Sequence, residues 1–213
     1  HRWVMLGPVV VQPLPLVLAL LVWLAVREDL ADPRWIAPGS IGLALAGLAL
    51  GVQPDQQGAG AALAVSLAAL WPWNRPVGVN SGRRWIVAGI CFVGVILTAF
   101  RPRELDPVAH VEGVIHAGFE IIPVMGVVAV TALIATLLLI VAVAWVPGTA
   151  MASRRVGMER TGWLLAVLWA ALVVGSLGAE YPIPVIGYGL SWVIGWGLTL
   201  GLAVAERRRV PKP

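Results

Sequence analysis

The feature that most constrains the fold of this chain is an apolar run from Ile121 to Val146. No residue in this run carries a charge, and histidine is absent from it as well. Roughly 20 residues, at about 1.5 Å of helical rise each, cross the hydrocarbon core of a bilayer. The run is longer than that, so it predicts a transmembrane helix rather than a helix in a water-soluble core.

The overall composition extends this prediction to the whole chain. Of the 213 residues, 59% are hydrophobic and 12% are charged, whereas about 25% are charged in typical globular domains. So few charged groups cannot cover a water-soluble surface, and residues 1–213 are therefore predicted to form one transmembrane helical domain. The single cysteine, Cys91, excludes an internal disulfide framework and a cysteine-based metal site.

Seven apolar runs follow one another along the chain, and none contains Asp, Glu, Lys, Arg or His. They are residues 4–26, 36–52, 58–73, 85–100, 121–146, 162–178 and 184–205. The predicted fold class is all-α, a polytopic integral membrane protein with seven transmembrane helices. Because the second, third and fourth runs are close to the shortest length that spans a bilayer, local thinning is expected around them.

The basic residues give the predicted orientation. If all seven runs cross, twelve of the fifteen basic residues fall on one side: Arg27, Arg34, Arg75, Arg83, Arg84, Arg154, Arg155, Arg160, Arg207, Arg208, Arg209 and Lys212. The positive-inside rule assigns that side to the cytoplasm, with the N-terminus outside and the C-terminus in the cytoplasm. Abundant Arg, Ala, Gly and Val are typical of GC-rich bacterial genomes, so we predict a bacterial plasma (inner) membrane protein.

Two further patterns agree with a helix bundle in a bilayer. Eight of the eleven tryptophans lie near predicted span ends, where indole rings favour the headgroup level: Trp3, Trp23, Trp35, Trp71, Trp73, Trp85, Trp145 and Trp163. GxxxG spacings occur at Gly47 and Gly51 and again at Gly197 and Gly201. These spacings predict close helix contacts, either within the chain or with another subunit.

The outer polar segment 101–120 is the best candidate for chemistry. Asp106 and Pro107 are typical of a helix start, and a helix from there places Glu112, His116 and Glu120 in one column about 12 Å long. Such a column could bind a divalent metal or shuttle protons. It could also be a water-facing surface, or a surface that recognises a partner. Pro123 predicts a kink, so residues 107–122 are expected to form a partly interfacial outer helix before the fifth span.

A second candidate site is the aromatic column on the last span. Tyr188, Trp192 and Trp196 recur at every fourth residue, and Trp169 on the sixth span is available to face them. This stripe could bind a planar ligand such as a quinone or a carotenoid, or a lipid. It could equally be helix packing, and the sequence identifies no particular cofactor.

The predicted spans lack the ionisable group that ion-coupled transporters usually keep at the bilayer centre. The leading functional prediction is therefore a non-catalytic multi-span subunit or scaffold of a larger membrane complex, packing against partner subunits, lipid or pigment. The alternatives are a small transporter or metal-handling permease with an outward-facing Glu/His capture site, and a membrane enzyme acting at the outer face. Nucleic acid is not an expected partner, because the basic residues lie between apolar runs.

Overall fold

The structure is a computed structural model that describes residues 4–6, 9–30, 38–53, 55–71, 81–100, 119–144, 152–177 and 190–208. In this part of the chain seven helices form a bundle, and each overlaps one of the predicted apolar runs. They are α1 (Leu14–Leu30), α2 (Pro38–Val52), α3 (Gln56–Ala68), α4 (Ser81–Ala99), α5 (Pro123–Ala144), α6 (Ala152–Ser176) and α7 (Leu190–Arg208).

The prediction of one helix from Val4 to Val26 is wrong at its start. Two short antiparallel strands, β1 (Val4–Leu6) and β2 (Val9–Val11), precede α1. Proline has no backbone N–H for a helix interior and β-branched valines favour strands, so the sequence opposes a helix before Pro13. The carbonyl of Pro13 accepts hydrogen bonds from the backbone N–H groups of Leu16 and Val17, at 3.2 and 2.9 Å, which opens α1.

Helix α6 begins ten residues before the predicted span, which opened at Gly162. Residues 152–161 lie between the fifth and sixth apolar runs, where hydropathy predicts a loop, but they are helical. Ala, Arg and Met are strong helix formers, and a charged side chain does not stop a helix. Arg160, which precedes the sixth apolar run, is buried in the helix at 2% exposure.

The structure has the predicted break before α5. Residues 119–121 are helical, Ile122 is not, and α5 starts at Pro123. The backbone N–H of Met125 donates to the carbonyl of Ile122 at 2.8 Å. The ring of Phe119 lies against Gly126, where a Cβ atom would come within 2.5 Å of it, so the chain turns sharply at the proline.

Contacts between helices define two ends of the bundle. The Gln12 end is where α1 and α7 begin, because the backbone N–H of Gln12 donates to the hydroxyl of Ser191 at 2.9 Å. The Glu206 end is where both helices finish, because the Trp23 indole N–H donates to Glu206 at 2.8 Å. Helices α1 and α7 therefore run parallel.

The same reasoning gives the directions of α2, α3, α4 and α6. Helix α2 is antiparallel to α1, since Gly39 lies against Leu24 and Gly42 against Leu21. Helix α4 is parallel to α2, since Gly47 lies against Cys91 and Gly51 against Gly94.

Helix α3 is antiparallel to α4, because the Ser66 hydroxyl reaches the Cys91 thiol at 3.5 Å and Arg84 reaches the carbonyl of Ala69 at 3.1 Å. Helix α6 ends at the Gln12 end, where Gln57 of α3 donates to the Leu172 carbonyl at 2.7 Å. Thus α1, α3 and α7 begin at the Gln12 end, and α2, α4 and α6 finish there.

Helix α1 lies at the centre of the bundle and α5 at its edge. The buried residues of α1 include Leu18, Ala19, Val22 and Val26, and the helix packs against α2, α6 and α7. Helix α5 packs against α6 and α7, and only 17% of Pro123–Val143 is buried, compared with 56% of Met158–Ser176 in α6.

In the described residues, three helices are long and apolar enough to cross a membrane by length and composition: Gly82–Ala99, Pro123–Val143 and Met158–Ser176. Helix α2 is apolar but shorter. The helical architecture and these three segments support a membrane protein.

Candidate functional site

Two of the four predicted ligand-binding aromatic residues meet in the core near the Gln12 end. Trp169 of α6 and Trp192 of α7 are 1% and 0% exposed. Their ring centroids lie 5.9 Å apart at an interplanar angle of 69°, an edge-to-face contact. Aromatic pairs favour this edge-to-face arrangement over a face-to-face stack, so each ring fills the space beside the other.

Both indole N–H groups have buried hydrogen-bond acceptors. Trp192 donates to the side-chain oxygen of Gln12 at 2.8 Å, and Trp169 donates to the hydroxyl of Thr199 at 2.9 Å. Thr199 in turn donates to the carbonyl of Gly195 at 2.8 Å. An unsatisfied polar group in a low-dielectric core is costly, so these bonds fix α1, α6 and α7 relative to one another.

The other two aromatic residues of the column differ from this pair. Trp196 packs partly buried against the core, and its buried indole nitrogen has no hydrogen-bond partner among the residues that the structure describes. Tyr188 lies outside the described residues. A planar ligand bound by the four aromatic residues therefore stays a prediction, and Trp169 and Trp192 are in direct contact with each other.

Of the predicted metal-binding column, only Glu120 lies in the described part of the chain. Its side chain is exposed, on the helical residues that precede Pro123. Glu112 and His116 lie outside the described residues. Among those residues that are described, no three His, Cys, Asp or Glu side chains are grouped closely enough to hold a metal ion.

An ionic contact joins α1 to α7 at the Glu206 end. Glu206 follows the seventh apolar run, which ends at residue 205, yet α7 continues to Arg208 and the Glu206 side chain is 7% exposed. It accepts hydrogen bonds from Trp23 at 2.8 Å and from Arg27 at 3.4 Å. Beside it, the Glu28 carboxylate accepts from the backbone N–H groups of Gly39 and Ser40, which open α2.

The face of α7 opposite this core is exposed and consists of small residues at a four-residue spacing. Gly197, Gly201 and Ala205 are all exposed, and a Cβ atom built at either glycine meets nothing within 4 Å. Ile194, one turn earlier, is 49% exposed. We call Gly197, Gly201 and Ala205 the outer stripe of α7.

The first GxxxG motif has the opposite environment. A Cβ atom at Gly47 would lie 2.8 Å from the Cys91 sulfur, and one at Gly51 would lie 2.6 Å from the Cα atom of Gly94. Gly47 and Gly51 therefore make the backbone contact between α2 and α4 inside this chain. The outer stripe has no such contact within the described residues.

Comparison of this chain with protein-family models, with curated proteins and with solved structures finds no match.

Sequence reasoning missed the polar partners of the two buried tryptophans. Gln12 stands between a valine run and a proline, and Ser191 and Thr199 interrupt an apolar run. A hydrogen-bonding side chain within an apolar span is a signal for a partner on a neighbouring helix. Ala205 extends the GxxxG spacing of Gly197 and Gly201 by one further turn, and this longer spacing is visible in the sequence.

Proposed function

We propose that this chain is a non-catalytic, multi-span subunit of a larger membrane complex, and that α7 binds a transmembrane helix of a partner subunit. The observation that carries this proposal is the outer stripe of α7. Small residues at this spacing allow two helix backbones to approach closely, and close packing is what drives association between helices in lipid.

The contrast between the two motifs supports this assignment. The GxxxG motif of α2 is occupied by α4, so the chain uses small-residue spacing for helix contact where a partner helix is present. The stripe of α7 has the same spacing, and a Cβ atom built at its glycines meets no atom of the described residues within 4 Å. A helix from another subunit would bury this surface in the same way.

The helix directions support seven crossings. Helix α4 finishes at the Gln12 end and α6 begins at the Glu206 end. A single crossing by α5 connects these two ends, so the seven helices alternate in direction along the chain. The basic residues of α1, α4 and α7 gather at the Glu206 end: Arg27, Arg83, Arg84, Arg207 and Arg208. By the positive-inside rule this end is cytoplasmic, in the plasma membrane that composition suggests.

Helix α3 is shorter than the bilayer core is thick, and its packing inside the bundle explains how it can still be a span. Helix α3 has 13 residues, about 20 Å by helical rise, which is less than the hydrocarbon thickness of about 30 Å. It is packed between α2, α4 and α6, and Gln57 at its start is bonded to the carbonyl of Leu172. Buried in protein, its ends do not have to reach the headgroups on their own.

The proposal is tested by the Gly201→Leu variant. The full chain is extracted from its native membrane in a mild detergent, and its particle mass is measured by light scattering with the detergent contribution subtracted. The wild-type chain of 22.5 kDa is expected in a particle of at least twice that mass. Gly201→Leu places four carbons in the stripe and is expected to reduce the particle to the single chain.

Gly89→Leu is the matched control. Gly89 lies on α4, is exposed, and also has nothing within 4 Å of a built Cβ atom, but it is not part of the stripe. This variant is expected to keep the wild-type mass. A wild-type particle that contains only one chain and no other protein contradicts the proposal, and so does a Gly201→Leu particle of unchanged mass.

A further inference from the structure

A groove runs along the outside of the contact between α2 and α4, at the Glu206 end of the bundle. Its volume is about 400 Å³. Ser40, Ala44 and Val87 lie at its base and are buried, while Leu45 and Ile86 form its sides and are 61% and 64% exposed. The groove is open to the surroundings of the bundle and almost entirely apolar.

The packing of the two helices explains the groove. Gly47 lies against Cys91 and Gly51 against Gly94, which holds the α2 and α4 backbones close together on the inner side. On the outer side the base of the groove carries small side chains from α2, Ser40 and Ala44, whereas the neighbouring positions of α2 carry large ones. A narrow channel is therefore left between two rows of aliphatic side chains.

The length of the groove matches one leaflet of a bilayer. Its lining on α4 runs from Arg83 to Val93, ten residue steps, or about 15 Å by helical rise. Half of the hydrocarbon thickness is also about 15 Å. If the Glu206 end is cytoplasmic, as proposed above, the groove extends from the inner headgroup level to the bilayer centre.

Among the described residues that line the groove, Arg83, at its Glu206 end, is the only charged one. Arg83 lies in the first turn of α4, which begins at Ser81, and Arg84 follows it. A guanidinium group binds phosphate with two parallel hydrogen bonds, and its aliphatic stem can lie on apolar surface while the charge stays at headgroup level. The groove therefore combines an acyl-chain surface with a phosphate-binding group at the correct end.

We propose that this groove binds an anionic phospholipid of the cytoplasmic leaflet, with one acyl chain between α2 and α4 and the headgroup phosphate at Arg83. The proposal rests on the membrane orientation given under the proposed function, but not on the partner subunit. Basic pockets between transmembrane helices on the cytoplasmic side are suited to such headgroups.

A partner helix fits this groove less well than an acyl chain does. The large side chains of Leu45 and Ile86 border the groove, whereas close contact between two helix backbones requires small residues at the interface. The outer stripe of α7, which has no side chains beyond one methyl group, is the surface suited to a helix.

The test is a titration of the purified full chain with defined lipids, read by native mass spectrometry from a mild detergent. The probes are phosphatidylglycerol and phosphatidylcholine with identical acyl chains. The wild-type chain is expected to bind one phosphatidylglycerol about tenfold more tightly than phosphatidylcholine, because the choline ammonium group of phosphatidylcholine offsets the charge of its own phosphate and weakens the attraction to Arg83. Equal affinity for the two lipids overturns the proposal.

Two variants separate the acyl-chain contact from the headgroup contact. Ala44→Phe fills the base of the groove and is expected to weaken the binding of both lipids about tenfold. Ala49→Phe, at an exposed position of the same helix outside the groove, is expected to leave the affinity for both lipids unchanged. Arg83→Gln is expected to remove the preference for phosphatidylglycerol. Arg207→Gln, at the same end but on α7, is expected to keep it.

If Ala44→Phe does not fold by far-UV circular dichroism, Arg83→Gln decides, because Arg83 is only partly buried. Unchanged lipid preference in a folded Arg83→Gln variant overturns the proposal. Gly201→Leu is expected to bind both lipids like the wild-type chain. Failure of the partner proposal and failure of the lipid proposal are therefore seen in different measurements, particle mass and lipid titration.

Discussion

Gly94→Ala is the perturbation whose cost the structure defines best. A Cβ atom at Gly94 would lie against the carbonyl oxygen of Gly47, 2.8 Å from its carbonyl carbon and 3.4 Å from the backbone nitrogen of Leu48. Carbon atoms in optimal contact are about 3.5–4.0 Å apart. All three atoms belong to the α2 backbone, so no side chain can rotate away, and the two helices must separate.

The expected magnitude follows from two opposing effects. Overpacking a well-packed core costs about 1–3 kcal/mol, and a backbone clash belongs at the upper part of that range. Alanine has a higher helix propensity than glycine by up to about 1 kcal/mol, which offsets part of the cost. We expect Gly94→Ala to lower the free energy of unfolding by about 1–2 kcal/mol.

Gly89→Ala on the same helix is the control, since a Cβ atom there meets nothing within 4 Å. Only the propensity effect remains, and this variant is expected to be as stable as the wild type or more stable by up to about 1 kcal/mol. Unfolding is measured by tryptophan fluorescence as a denaturing detergent is added to mild-detergent micelles. Equal stability of the two variants would refute the α2–α4 backbone contact.

Two smaller predictions concern buried polar groups. Trp192→Phe leaves the side-chain oxygen of Gln12 without its donor, and we expect the free energy of unfolding to fall by about 1–3 kcal/mol in the same assay. A decrease of less than roughly 0.5 kcal/mol contradicts the buried hydrogen bond. Asp55→Ala removes the side-chain acceptor for the backbone N–H of Gly58 at the start of α3, and we expect the free energy of unfolding to fall by about 1 kcal/mol. Asp55→Asn keeps an acceptor and is expected to retain most of this stability. Equal decreases in the two variants contradict the capping role.

The sequence predicts the existence of the seven helices because each is an apolar run bounded by charged or helix-breaking residues. It predicts their ends less well. Hydropathy alone places the start of the sixth run at Gly162, although the charged residues before it are good helix formers and α6 starts at Ala152. It also carried the first helix across Pro8 and Pro13, where backbone hydrogen bonding opposes it.

The candidate sites show a second limit of prediction from sequence, which concerns contacts between helices. Gly47 and Gly197 belong to the same motif, yet one lies against Cys91 and the other against nothing within 4 Å. Which glycine pair is used inside the chain depends on which helices become neighbours, and residue spacing within one helix does not contain that information. The Trp169–Trp192 contact and the two hydrogen bonds that support it depend on tertiary packing in the same way.

Accessibility of three introduced cysteines tests the seven-span arrangement most directly. In a Cys91→Ala background, cysteine is placed at Gln53, Trp71 or Arg208, which are exposed positions after α2, after α3 and at the last residue of α7. A membrane-impermeant thiol reagent added to intact cells should label Gln53→Cys and leave Trp71→Cys and Arg208→Cys unlabelled until the membrane is opened. Labelling of Gln53→Cys and Trp71→Cys from the same side of the membrane would contradict the account.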